Sequence, residues 1–139
     1  MNAKIWIRIA AGCMLFFALG HLAGHFSRNN TDDPHGKEVI NAMKEYKRDL
    51  FGTMRSYDEN YTGMSLNLVA TLLMLTVVLW VLSNLVDNNP KATTHIIIII
   101  ALCSYFFAIT GFLFFFPVPA ITCLLAGTSL SIAAFRLLS

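Results

Sequence analysis

Two histidines stand four residues apart in the stretch Gly20-His21-Leu22-Ala23-Gly24-His25. On a helix that spacing places both rings on one face, so both can address the same neighbour. An imidazole pair of this kind binds a transition metal, hydrogen-bonds a quinone or lipid headgroup, or passes a proton. Further along, Arg55, Tyr57, Asp58, Glu59 and Tyr61 crowd into one short run. Asp58 and Glu59 would complete a mixed histidine and carboxylate set around a metal. Metal is the reading the spacing supports least, because no third histidine joins His21 and His25: His35 lies in a connection and His95 at the far end of its segment. Bis-histidine haem ligation also fails, since it needs ligands from two facing helices at one depth.

The elements that position these residues follow from composition. Of 139 residues, 56% are hydrophobic and only 13% charged, about half the charged share of an ordinary soluble domain. The apolar residues are gathered into four runs, Ile5 to Phe26, Met64 to Val86, His95 to Phe116 and Val118 to Leu138. Each is long enough as a helix to cross roughly 30 Å of hydrocarbon. Lys4 ahead of the first run and Arg8 near its start, with Ala18-Leu19-Gly20 further in, have the outline of a cleavable leader, but the run is expected to persist as a span. The expected fold is all-α: a four-helix transmembrane bundle in a single domain covering residues 1–139.

Asp87-Asn88-Asn89-Pro90 and Phe116-Pro117-Val118-Pro119 read as tight turns, because proline lacks an amide hydrogen and pushes its predecessor out of helix. The last two spans are therefore expected to form a close antiparallel pair. In the long connection, Asp33-Pro34 has the form of a helix cap followed by a first-turn proline. Val39, Ile40, Met43, Tyr46, Leu50, Phe51 and Met54 then recur at three-and-four spacing, which predicts an amphipathic surface helix over about 34–56.

Alternating directions put His21, His25, Arg28, the long connection, Tyr61 and Asn67 at one membrane face, and both termini at the other. Asn67, at a depth close to that of His21, is the expected hydrogen-bond partner for the histidines, since lipid offers a polar side chain none. Gly20 and Gly24 form a GxxxG strip beside them, and Gly127 and Ser131 stand four apart in a last span rich in small residues; both pairs predict close helix contacts. Arg55 and Asp58, three apart, are expected to pair if helical. The competing reading of the Arg55 to Tyr61 run is a capped helix start with Tyr61 as an interfacial anchor. Cys13, Cys103 and Cys123 lie inside spans without a CxxC pattern and read as packing residues.

The long connection carries six Lys and Arg among seven acids, whereas the four on the terminal side flank the spans directly. That contrast favours cytoplasmic termini. No phosphate-cradling glycine loop, no Ser-His-Asp set at one depth and no basic patch for nucleic acid is visible. The halves are not repeated, and no span is broken as in transporters.

With GHLAGH late in the first span and Met54-Arg-Ser-Tyr57-Asp-Glu-Asn-Tyr61-Thr-Gly63 before the second, the chain resembles small bacterial four-helix integral membrane proteins of uncharacterised activity. Their pattern pairs a Gly-His-x-x-Gly element with an Arg-x-Tyr-x-x-x-Tyr-x-Gly element, to which Arg55, Tyr57, Tyr61 and Gly63 correspond. Asp58-Glu59 stand where the more familiar form has tryptophan and aspartate. The resemblance covers mainly residues 16–68 and implies the architecture and a bacterial inner-membrane location, not an activity.

Two functions are weighed. The favoured one is an accessory or structural subunit that meets itself or another membrane subunit through small-residue helix faces, with membrane lipid as its other partner, no nucleic acid, no cofactor and no catalytic step. The alternative is a ligand-handling protein for lipid, quinone or metal, enzymatic or not. Its pocket would be drawn from His21, His25, Arg55, Tyr57, Asp58, Tyr61 and Asn67.

Overall fold

The computed structural model describes residues 2–138. Five helices and one hairpin follow in order: α1 (Ala3–Ser27), α2 (Pro34–Glu45), β1 (Lys47–Leu50), β2 (Thr53–Ser56), α3 (Tyr57–Leu85), α4 (Pro90–Phe114) and α5 (Pro117–Leu138). The fold is an all-α four-helix bundle, and α1, α3, α4 and α5 are each long and apolar enough to cross a membrane. The protein is an integral membrane protein.

The chain divides into two compact units. One holds the residues up to Ala18 together with those from Thr71 onward; the other is Leu19–Ala70. In the first, mostly small residues are buried: Ala10, Ala11, Ala101, Ala108, Ala120, Ala126 and Ala133, among a few large ones such as Ile7, Met14, Leu79 and Leu130. Phe106, Phe112, Phe114, Phe115 and Phe116 point outward. Lipid is as apolar as leucine, so burying bulk against protein gains little, whereas small residues let helices approach and gain dispersion.

The tightest contact is between α4 and α5. At Gly111 an added Cβ would meet Ala120 Cβ at 2.9 Å and its Cα at 3.0 Å, and at Gly127 it would meet the Tyr105 ring at 2.9 Å. The Tyr105 hydroxyl also lies 3.0 Å from Ser131 Oγ. Pairing 111 with 120 and 105 with 127 makes the two helices antiparallel, joined by the turn at Phe115–Phe116. Buried hydroxyls are satisfied within their own helices: Ser104 donates to the Ile100 carbonyl at 2.8 Å and Thr122 to that of Val118 at 2.8 Å. Neither hydroxyl proton is thereby left facing hydrocarbon. In the same unit the Arg8 guanidinium donates to Ser83 Oγ at 3.2 Å and Asn84 Oδ1 at 3.1 Å, and stacks on Trp80.

In the second unit Asp33 caps α2, accepting from the Gly36 amide at 2.8 Å, with Pro34 in the first turn. The helix then stops at Glu45, and the expected continuation to 56 is replaced by the antiparallel hairpin β1–β2. Phe51 and Gly52 both have positive φ, 53° and 83°, the backbone of a two-residue type I′ turn. Asp49 fixes it by accepting from the Gly52 amide at 2.8 Å. Only Ile40 and Met43 of the expected apolar stripe gain shelter on α2, while Val39 is exposed.

Gly111→Leu is expected to lower bundle stability by about 1–3 kcal/mol through overpacking against the Ala120 backbone. Gly12, where an added Cβ meets nothing within 4 Å, is the control: Gly12→Ala should hold or raise stability, by about 0.5–1 kcal/mol at most. Thermal denaturation in detergent compares the two.

Candidate functional site

The polar cluster of the Leu19–Ala70 unit is built from two facing stripes. On α1 and the residue after it, His21, His25 and Arg28 follow at i, i+4 and i+7; on α3, Asp58, Thr62 and Ser65 do the same. The start of α3 is fixed by a reciprocal cap. Ser56 Oγ accepts from the Glu59 amide at 3.1 Å, and Glu59 Oε2 accepts from the Ser56 amide at 2.8 Å, which is the S-x-x-E capping box. The cap uses Glu59 and leaves Asp58 to turn toward Arg28.

Arg28 is the hub. Its Nη2 donates to Asp58 Oδ1 at 2.9 Å and Thr62 Oγ1 at 2.7 Å. Its Nη1 lies 2.8 Å from His25 Nδ1 and 3.2 Å from Nε2, and the guanidinium sits 5.0 Å over the Tyr61 ring. Only 17% of the Arg28 side chain and 21% of Asp58 is exposed, so the ion pair is far less screened than a surface pair. The charges also suit their places, a cation just past the end of α1 and an anion in the first turn of α3.

The histidines continue the chain of contacts. Ser65 Oγ lies 2.9 Å from His21 Nε2 and 2.9 Å from His25 Nδ1, and Ser65 is buried. Through these contacts and Ser65, His25 links the Arg28 guanidinium to His21. Thr62 Oγ1 passes its own proton to the Asp58 carbonyl at 2.8 Å. Among the described residues no group of three or more His, Cys, Asp and Glu is disposed to hold a metal ion; Asp58 is held by Arg28 and Glu59 by the cap. A cavity of about 180 Å³ opens beside the hub, lined by Arg28, Asn29, Ile40, Met43, Asp58 and Tyr61.

No family model, no curated protein and no solved structure matches this chain.

Of the residues singled out from sequence, His21, His25, Asp58 and Tyr61 come together. Arg55 does not join them: it pairs with Glu59 at 3.5 Å on the exposed side, not with Asp58, because Arg55 lies in β2 while Asp58 is in the helix. Tyr57 stacks on Tyr46 at 5.7 Å and lies under Arg48. Asn67 is exposed, and it stands two residues, a turn of about 200°, from Ser65, whose hydroxyl meets both rings. Gly20 and Gly24 sit off the histidine stripe, and a Cβ at either meets nothing within 4 Å. Sequence reasoning missed Ser65 and gave Arg28 no role, although Arg28 lies on the histidine stripe and Ser56-x-x-Glu59 could have set the phase of α3.

Arg28→Met is expected to destabilise the protein by about 2 kcal/mol by stranding Asp58. The double variant Arg28→Met/Asp58→Asn should recover about 1 kcal/mol of that loss. Ser65→Ala should cost about 1–2 kcal/mol by removing the bridge between the rings. Denaturation midpoints of the four proteins in one detergent check both expectations.

Proposed function

We propose that this protein is an accessory or structural membrane subunit that associates with a second copy or another membrane protein through small-residue helix faces. The observation that carries the reading is the internal closure of its most chemically equipped cluster. Arg28, Asp58, Thr62, Ser65, His25 and His21 direct their polar atoms at one another. A cluster poised for catalysis keeps at least one such group turned to a substrate. In this reading the network clasps the end of α1 to the start of α3, and no cofactor or catalytic step is assigned to it.

The strip of Gly20 and Gly24 supports the associating part of the proposal, since a Cβ added at either meets nothing within 4 Å among the described residues, which leaves room for the backbone of another helix. The remaining finer points rest on sequence. The resemblance to small bacterial four-helix proteins favours the bacterial inner membrane, and the flanking Lys4, Arg8, Lys91 and Arg136 favour cytoplasmic termini.

A second reading is favoured by one observation, the cavity beside Arg28. Its wall of Ile40, Met43 and Tyr61 with one guanidinium suits a lipid or quinone headgroup. Ligand binding there would draw on Arg28 and Tyr61, while His21 and His25 would position Arg28 through Ser65 and its ring contact.

Gly20→Leu/Gly24→Leu separates the readings. The subunit reading expects unchanged monomer stability, within about 0.5 kcal/mol, together with loss of the associated species in crosslinking within native membranes. Association that survives the double substitution would remove the glycine strip from the account.

A further inference from the structure

The hairpin of the long connection carries two features that its own packing does not repay. The first is its tip. Phe51 is fully exposed and has φ of 53°, a backbone region that bulky side chains rarely adopt and that asparagine, aspartate or glycine would occupy more easily. The second is its register. Arg48 stands directly opposite Arg55, so two guanidiniums share one face of a two-stranded ladder, where like charges repel. Arg48 has the Tyr57 ring at 4.8 Å and Arg55 has Glu59 at 3.5 Å, and these contacts leave most of their N–H donors uncommitted. The same face carries Leu50 and Thr53, and the charges of the hairpin sum to two positive: Lys47, Arg48 and Arg55 against Asp49.

We propose that this hairpin binds the surface of an anionic bilayer, with Phe51 entering the interface and Arg48 and Arg55 together gripping lipid phosphates. A phosphate between the two guanidiniums converts their repulsion into two charge-assisted pairs, each able to be bidentate. An aromatic ring at the headgroup level regains the burial it lacks in water. Membrane is the partner within reach. β2 runs without a break into α3, and only residues 57–63, about 10 Å of helix, separate it from the apolar run that begins at Met64. The inference is independent of the subunit reading, since it draws on none of the residues of the Arg28 network or the glycine strip.

The test uses the full-length protein in nanodiscs of phosphatidylcholine, alone or mixed with phosphatidylglycerol. Phe51→Trp reports the position of the tip once the spectrum of the unsubstituted protein, with its Trp6 and Trp80, is subtracted. In the phosphatidylglycerol mixture the difference signal of the introduced indole should shift to the blue and be quenched by brominated lipid. Both effects should be lost with Arg48→Gln/Arg55→Gln and kept with Arg48→Lys/Arg55→Lys. A difference signal that stays water-like in both lipids, or that is shielded equally with and without the arginines, would overturn the proposal. All three positions are exposed, and removing the opposed charges relieves the ladder, so loss of fold does not obscure the result.

Discussion

Everything in the polar part of this protein turns on how Arg28 is held. A guanidinium that is mostly withdrawn from water, at the edge of a hydrocarbon layer, must find a counter-charge and acceptors for its N–H groups. Arg28 finds Asp58, Thr62 and a ring nitrogen of His25, and lays its face on Tyr61. Each partner is in turn constrained. Ser65 must bridge the two rings, and α3 must begin at Tyr57 with the Ser56–Glu59 cap for Asp58 to face α1. A single half-buried cation thus sets the phase of two helices and the identity of the residues between them.

The apolar part obeys a different constraint. Helices in lipid gain no hydrophobic advantage from meeting each other, so their contacts depend on closeness. Gly111 against Ala120, and Gly127 against Tyr105, are sites where one methyl group would force the backbones or ring apart. The Ser104 and Thr122 hydroxyls return their protons to carbonyls one turn back, while Tyr105 and Ser131 meet across the α4–α5 contact. Most of the phenylalanines and many of the branched side chains are left to lipid.

The four spans were legible because bilayer thickness fixes their length, and the cap at Asp33 and the proline turns because each rests on one local rule. The hairpin was not. Leu50 and Met54 satisfy a helical period as readily as they populate a short ladder, and a short apolar run does not distinguish the two. What decides it is the Asp49 side chain on the Gly52 amide and a left-handed Phe51, a turn residue that propensity does not recommend. In the site, the histidine pair, Asp58 and Tyr61 were legible from type and spacing. Arg28 with Asp58 was not, since 30 positions separate them and their meeting depends on the rotation of α3. That rotation also explains why Ser65 faces the rings and Asn67 faces outward.

The Arg28 guanidinium holds His25, Asp58 and Thr62 in one network. Nitrogen-15 NMR of histidine-labelled protein in lipid bilayers at neutral pH tests it most directly, with assignment by single histidine substitutions. The His25 nitrogen shifts are expected to move in both Arg28→Met and Ser65→Ala. His25 shifts indifferent to Arg28→Met would contradict that network.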